Sequence, residues 1–275
     1  MAENPNVCLS LESRPENVLI VRQVLSGVAE AAGINALELN DISTAVSEAC
    51  NNVVQHAYGD AHGPMEVELY LQPGTLCAIV RDHGAGIRPL IDGAGEEGAV
   101  GIGLPLILAL ATRVEFVDPP GGGLEVHLEF KVTAEHTLTV PAGSIPAWSR
   151  HSTSDLADGT VRLDIAPAEI VRAVMGRVVC ALAARAAFST DGIAHAQELA
   201  DSLAAHTANP PGTGHLRVGI IPAPGARALE MRVGPLRSGA ELGDLEHVLS
   251  RLAEDYSVTR EGPSEVLAVR LTETR

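Results

Sequence analysis

Hydrophobic residues follow two different periods along the first half of the chain. Residues 7–11 alternate between apolar and polar, which predicts a strand, and apolar residues at helical spacing predict helices over 15–32 and 37–57. Later segments predict two strands joined by a turn, a third helix, and two further strands: residues 65–71, 76–80, 104–113, 114–117 and 124–130. This order, β-α-α-β-β-α-β-β, is typical of an α/β domain.

The second half repeats most of this order. Matching segments occur at residues 161–165, 168–187, 193–208, 216–220, 228–233, 242–253 and 266–271. Glu198 and His206 also follow Glu48 and His56 at the same separation in sequence. These repeats predict an internal duplication, and the alternative is two unrelated α/β domains. A stretch rich in proline, glycine and serine divides the chain into a domain at 1–135, a linker at 136–160 and a domain at 161–275.

Charge narrows the possible partners. The 275 residues carry 19 Lys and Arg against 35 Asp and Glu, a formal net charge of −16. This excess argues against nucleic acid and against anionic membranes, because both require a basic surface. Residues 1–137 hold 6 basic and 19 acidic side chains, a net of −13, and the remainder holds 13 and 16, a net of −3.

The single lysine excludes two designs for binding a nucleoside triphosphate. Lys131 lies between Phe130 and Val132, which matches neither the P-loop nor the phosphate-binding strand of ordinary protein kinases. The four cysteines are far apart and form no zinc or redox motif. Because the sequence shows no signal-peptide pattern and no apolar run long enough to cross a bilayer, we expect a cytoplasmic protein.

Three segments carry candidate chemistry, and the first lies on the second helix. Glu48, Asn52 and His56 are four residues apart, so they fall within an arc of about 80° on one helix face. An amide oxygen can bind a hard cation, and a carboxylate can polarise a hydroxyl or a water. Such residues also occur on ordinary exposed helix faces.

The second segment follows a predicted strand. Asp82 ends that strand, and Gly84 and Gly86 form a Gly-x-Gly turn that lets the backbone approach a ligand. A buried carboxylate there could accept a hydrogen bond from an amino group such as that of adenine. The alternative is a simple tight turn.

The third segment places glycines directly before an apolar helix. Gly101, Gly103 and Leu104 precede Pro105, which is tolerated in a first helical turn. Exposed N–H groups at a helix start can bind phosphate without a lysine. The acidic, glycine-rich residues 88–97 between the second and third segments suggest a lid. The alternative for the third segment is a flexible turn before a core helix.

Taken together, the three segments resemble the N box and the two glycine boxes of the GHKL (Bergerat-fold) ATP-binding superfamily. The patterns are E-x-x-x-N-x-x-x-H, D-x-G-x-G and G-x-G-L, and the resemblance covers about residues 7–131. Within the superfamily, the sequence is most similar to the bacterial anti-sigma-factor serine/threonine kinases. The resemblance implies a two-layer α/β sandwich in two tandem copies, each with a mixed sheet covered by helices on one side.

The resemblance also implies ATP and Mg²⁺ as cofactors and a role for each residue. Asp82 would receive the adenine amine, Asn52 would ligate Mg²⁺ and Glu48 would be the general base. The remaining ATP-binding residues would be His56, for which capping or packing is an alternative, and Gly84, Gly86, Gly101, Gly103 and Leu104. The implied function is phosphorylation or sequestration of a protein partner, either a sigma factor or an anti-anti-sigma-like protein. The alternative is a non-catalytic ATP-binding interaction module, or a simple ATPase.

The second domain is expected to have lost the site. Ser202 would replace Asn52, a valine near Arg232–Pro235 would replace Asp82, and one glycine before the third helix would be lost. The chain would then be a monomer containing an internal pseudo-dimer, or a homodimer.

Overall fold

The structure is a computed structural model that describes residues 4–84, 103–134, 138, 160–207, 214–236, 242–261 and 264–273. The chain divides into two compact units, Met1–Thr137 and Leu138–Arg275. The predicted linker lies almost entirely outside the described residues. Among the described residues, no helix combines the length and hydropathy needed to span a membrane.

The first unit contains the predicted order of strands and helices. Asn35 begins the second helix, because its side chain accepts hydrogen bonds from the N–H groups of Leu37 and Glu38. Gly33 ends the first helix in a left-handed conformation with φ of 71°. The elements are β1 (Val7–Glu12), α1 (Asn17–Ala32), α2 (Ala36–Asn52), a π-helical turn (Val53–Ala57), β2 (Pro64–Gln72), β3 (Thr75–Asp82), α3 (Gly103–Leu110), β4 (Arg113–Val117) and β5 (Leu124–Lys131).

The sheet of this unit is antiparallel at every strand pair. Its strand order is β4-β5-β3-β2-β1. The expectation of a mixed sheet was wrong, because two helices separate β1 from β2. The first helix leads the chain away from the end of β1 and the second leads it back, so β2 enters the sheet in the opposite direction. Strands β3 and β4 do run parallel, but β5 lies between them.

One face of the sheet forms the core with the helices. Leu9, Val67 and Val80 are aligned across β1, β2 and β3, and each is at most 1% exposed. Helix α2 packs over β3 and β5 with a stripe of small and branched apolar residues. This packing fixes the face of α2 that remains available for polar side chains.

The other face carries a buried ionic cluster centred on Arg81. Its guanidinium donates to Glu125 at 2.7 Å and to Glu66 at 3.0 Å, and lies 3.7 Å from Glu68. Glu66 is only 1% exposed, and burial raises its pKa although Arg81 opposes that shift. Burial also favours the neutral acid at Glu125, but hydrogen bonds from His127 and Arg81 outweigh it and lower the pKa. One arginine on β3 therefore compensates three carboxylates on the two neighbouring strands, β2 and β5.

The second unit has the same element order and the same strand order. Its sheet runs β6-β7-β8-β10-β9, which is the arrangement of the first unit when each unit is numbered from its own first strand. The elements are β6 (Val161–Ile165), α4 (Ala168–Arg185), α5 (Thr190–His206), β7 (Leu216–Ala223), a 3₁₀ turn (Pro224–Ala226), β8 (Ala228–Leu236), α6 (Asp244–Leu252), β9 (Asp255–Glu261) and β10 (Ser264–Thr272).

Two elements differ from the sequence prediction. Strand β9 was missed because its apolar alternation consists of Tyr256 and Val258 alone, which is too short to distinguish it from a loop. Helix α3 ends at Leu110 and not at Arg113, because the Thr112 N–H donates to the Glu129 carbonyl at 2.7 Å and directs the chain into β4.

We expect Arg81→Met to lower the free energy of unfolding of the first unit by about 3 kcal/mol, because it leaves buried carboxylates without their cation. Arg113→Met is the matched control, since the Arg113–Glu115 pair is 70% and 53% exposed. We expect the control to change stability by less than about 0.5 kcal/mol. Urea unfolding followed by circular dichroism measures both, and equal effects of the two substitutions would contradict this account of the cluster.

Candidate functional site

Helix α2 presents two of the predicted site residues beside its buried face. Ala45, Val46 and Ala49 are fully buried, whereas Glu48 and Asn52 are half-buried. The helix then widens into the π-helical turn that carries His56, which is exposed. Single π turns are rare and frequently accompany functional sites. The exposure of His56 argues against the packing role considered for it.

The first residue of α3 lies directly against these two side chains. A Cβ added to Gly103 would be 2.9 Å from Glu48 Oε2 and 3.7 Å from Asn52 Oδ1. Any side chain at this position would therefore displace the carboxylate. The glycine brings the start of α3, with its free N–H groups, to the two oxygens.

Asp82 is held at the end of β3 in the layer between the sheet and the helices. It is 1% exposed, and its Oδ1 accepts a hydrogen bond from the Gly84 N–H at 2.8 Å. Burial raises the pKa of Asp82, and the hydrogen bonds from Gly84 and Leu124 and the nearby His83 only partly oppose this. A carboxylate offers about four acceptor positions, so Asp82 can accept a further hydrogen bond from a ligand amino group.

Close backbone contact joins the Asp82 loop to the end of the α2 region. A Cβ on Gly84 would collide with the carbonyl of Ala57, immediately after His56. Only glycine permits this approach. The second candidate segment is thereby held beside the first.

Tyr58 is a site-supporting residue that the sequence interpretation missed. Its hydroxyl donates to the Pro64 carbonyl at 2.5 Å and accepts from the His83 N–H at 2.8 Å, and burial raises its pKa to about 12. A Cβ on Gly63 would collide with the tyrosine ring. The available signal was an aromatic residue two positions after the E-x-x-x-N-x-x-x-H segment in a chain with only 3% aromatics.

The described part of the structure brings together members of all three segments. Glu48, Asn52 and Gly103 form one cluster, and Asp82 and Gly84 reach the end of the π turn. Leu104 follows Gly103 in the first turn of α3 and is half-buried. Gly86, Gly101 and the predicted lid at 88–97 lie outside the described residues.

The oxygen donors fit a magnesium ion shared with a ligand. Asn52 Oδ1 and the Glu48 carboxylate face the space that a Gly103 Cβ would fill, and Mg²⁺ prefers such hard donors. Among the described residues, no group of three or more His, Cys, Asp or Glu could hold a metal by itself. In nucleotide sites Mg²⁺ usually binds through one or two side chains together with the phosphates.

Comparison with known proteins places residues 11–130 in a family of histidine kinase-like ATPase domains. The protein named serine-protein kinase RsbW in Halalkalibacterium halodurans is 34% identical over an alignment of 128 positions that covers 41% of this chain and 76% of that protein. The chain belongs to the GHKL superfamily, in the branch of the anti-sigma-factor serine kinases.

Other members of this branch match a shorter region. The proteins of the same name in Bacillus velezensis and Bacillus subtilis are 43% and 42% identical over 77 residues, 28% of this chain. The match spans about half the length of these two relatives, 48% in each. The family model covers residues of the first unit only, and we therefore call this unit the GHKL unit.

The helices of the second unit align with those of the GHKL unit in a way that differs from the sequence prediction. Asn35 and Ser189 cap helices of equal length, 17 residues, and each follows a left-handed residue by two positions, Gly33 with φ of 71° and Ala187 with φ of 64°. The buried positions then coincide in five pairs: Ile42 with Ala196, Ala45 with Leu199, Val46 with Ala200, Ala49 with Leu203, and Cys50 with Ala204.

This alignment puts Ser202 at the position of Glu48 and His206 at the position of Asn52. In this alignment Glu198 and His206 each stand one helical turn before the positions of Glu48 and His56 with which the sequence prediction matched them. Glu198 instead forms an ion pair with Arg251 of α6.

The strand register corrects the position that corresponds to Asp82. Val80 pairs with Val67 in the GHKL unit, and Val233 pairs with Val218 in the second unit. Two residues further along the strand, Pro235 stands where Asp82 does, so the predicted valine was two positions early. Asp244 begins α6, whereas Gly103 begins α3.

We expect Asp82→Asn to stabilise the GHKL unit by on the order of 1 kcal/mol at pH 7 while abolishing ATP binding. A raised pKa means that the folded state favours the neutral acid, so the carboxylate costs stability as pH rises through that pKa. The gain from asparagine should therefore shrink toward about pH 4. Thermal unfolding across this pH range measures it, and a loss of stability at pH 7 would contradict the assignment.

Proposed function

We propose that the protein is a Mg-ATP-dependent serine/threonine kinase that acts on a regulatory protein partner. The observation that carries this proposal is the approach of Gly103 to the oxygens of Glu48 and Asn52. It places a carboxylate, a hard cation ligand and the free N–H groups of a helix start within one small space. Those are the groups that phosphoryl transfer requires when no lysine is present.

Each residue then has a distinct role. The N–H groups at the start of α3 hold phosphate oxygens, and Asn52 Oδ1 ligates Mg²⁺. The bound Mg²⁺ neutralises charge that accumulates on the phosphate oxygens. Asp82 accepts a hydrogen bond from the adenine amino group. Its burial makes this contact selective, because an unsatisfied buried acceptor penalises a base without the amino group.

Glu48 is the proposed general base. A serine or threonine hydroxyl of the partner forms a bond to the γ-phosphorus, its proton passes to the Glu48 carboxylate, and the bond to ADP breaks. The same carboxylate would activate water in an ATPase. The relatives named as serine-protein kinases favour the hydroxyl.

The identity of the partner rests on the same resemblance. We propose that it is either a sigma factor, which the protein sequesters, or an anti-anti-sigma-like protein, which it phosphorylates. A non-catalytic module that binds ATP and regulates its partner by binding alone is the second candidate. The exposed His56 and the half-buried Glu48 are compatible with either candidate, and the proposed role of Glu48 separates them experimentally.

We further propose that the second unit is a duplicated copy of the GHKL domain that no longer binds ATP. Equal element order, equal strand order and the matching helix caps support the duplication. The second unit lacks the three functional groups at the aligned positions. Ser202 replaces the carboxylate of Glu48, His206 the amide of Asn52, and Pro235 the carboxylate of Asp82. In addition, Asp244 and Glu246 place negative charge in the first turn of α6, which would repel phosphate.

We expect Glu48→Gln to reduce phosphate transfer by about a hundredfold or more while leaving Mg-ATP affinity nearly unchanged, because the amide cannot take the proton. Purified anti-anti-sigma proteins with radiolabelled ATP provide the transfer assay, and calorimetry provides the affinity. Glu198→Gln in the second unit is the matched control and should leave both unchanged. Normal Mg-ATP binding without transfer by the unmutated protein would instead favour the non-catalytic module.

We expect calorimetry on the full chain to give one Mg-ATP per molecule. Asn52→Ala should remove that binding, because it deletes the amide oxygen while the second unit offers no replacement. His206→Ala, at the corresponding position of the second unit, should leave the stoichiometry at one. A stoichiometry of two would reject the proposed loss of the second site.

A further inference from the structure

Helix α3 exposes apolar side chains where a surface helix normally presents polar ones. Its sequence, GLPLILAL, contains no charged residue, yet Ile107 is its only buried residue among those described. Leu108 is 56% exposed, one of the largest exposures of any large hydrophobic side chain in the described residues. We define the α3 surface as Leu104, Pro105, Leu106, Leu108, Ala109 and Leu110, all exposed or half-exposed. A contiguous apolar patch of this kind is typical of a binding surface.

The corresponding helix of the second unit has an ordinary surface. Helix α6 buries Leu245 and Leu249, and carries Asp244, Glu246 and Arg251 among its charged residues. A helix at this place in the fold can therefore be amphipathic, with a charged outer face. The exposed apolar surface occurs in the unit that contains Glu48 and Asn52. This links the surface to the phosphate transfer proposed for that unit.

The position of the α3 surface connects it to the site. Gly103 begins α3, and a Cβ there would lie 2.9 Å from Glu48 Oε2. Leu108 follows five residues later, about 7.5 Å further along the helix axis. A polypeptide segment seated on α3 would thus have a hydroxyl within reach of Glu48.

The charge around the surface indicates what the segment carries. Helix α2 packs against α3, and its charged residues are Glu38, Asp41 and Glu48, with no lysine or arginine. The α2–α3 pair itself therefore combines an apolar strip with acidic side chains. The nearby basic residues, Arg113, which pairs with Glu115, and Lys131, lie beyond the C-terminal end of α3. Charge complementarity favours an occupant with apolar side chains flanked by lysine or arginine.

We propose that the α3 surface docks the segment of the partner that bears the phosphoacceptor hydroxyl, and that this segment is apolar with basic flanks. This inference rests on the proposed kinase function. It adds a specificity surface that extends from the ATP site along α3, and Leu104 is the one residue that it shares with the predicted ATP-binding residues. Leu108 is its central contact.

The test uses the full chain and two short fluorescein-labelled peptides with Mg-ATP present. One peptide places a serine among leucines and lysines, and the other has each lysine replaced by glutamate. We expect the lysine peptide to bind the unmutated protein, with the glutamate peptide at least about tenfold weaker. Leu108→Glu should weaken binding of the lysine peptide by about tenfold or more, and Leu108→Met should preserve it.

Leu19→Glu on α1 is the matched control, since Leu19 is 52% exposed and the charge change is the same. It should alter peptide affinity by less than about twofold. Equal weakening by Leu19→Glu and Leu108→Glu would show general repulsion and overturn the proposal. Normal binding of the peptide by the Leu108→Glu protein would also overturn it. So would a Leu108→Glu protein whose only change is sedimentation as a monomer in place of a dimer, because α3 would then be a contact between two copies of the chain. Anisotropy requires no phosphate transfer, so a failure of docking is distinguishable from a failure of kinase activity.

Discussion

The candidate site depends on glycines at positions where any side chain would collide with a neighbouring backbone or carboxylate. These glycines allow chain segments to approach one another closely. Gly103 lies against Glu48, and Gly84 lies against the carbonyl of Ala57. Gly123 repeats the pattern, since a Cβ there would collide with the carbonyl of Asp82. Three segments far apart in sequence converge because these glycines remove the atoms that would separate them. The chemistry of Glu48, Asn52 and Asp82 follows from that convergence.

The same constraint explains how an acidic domain can handle a polyphosphate. The GHKL unit contains 19 acidic and 6 basic residues, and Arg81 is committed to Glu66 and Glu125 on the face of the sheet that does not pack against α2. Under the proposed function, N–H groups at the start of α3 and a metal ion would hold the phosphates.

Much of the GHKL unit was predictable from its sequence, because its buried strands alternate and its motifs have fixed spacing. Such local signals predict the approximate limits of β2 and β3. They also predict which elements carry Glu48, Asn52 and Asp82. Tyr58 was missed because its contacts with Pro64 and His83 depend on chain segments that meet only in the fold. The second unit was misaligned because Glu198 and His206 share the spacing of a motif without sharing its helical position. The alignment of the two helices depends on where each helix begins, and the caps Asn35 and Ser189 locate that start. Periodicity alone does not locate it.

The burial of Asp82 has a consequence for the lifetime of the protein in a cell. A buried carboxylate whose pKa is raised by its burial weakens the nucleotide-free GHKL unit, and a hydrogen bond from an adenine amino group would offset part of that cost. If Asp82 accepts the adenine amino group as proposed, nucleotide occupancy and resistance to unfolding are coupled in this unit. When ATP falls, the GHKL unit would open more often and meet proteases more often. Turnover, and not only activity, would then follow the energy state of the cell.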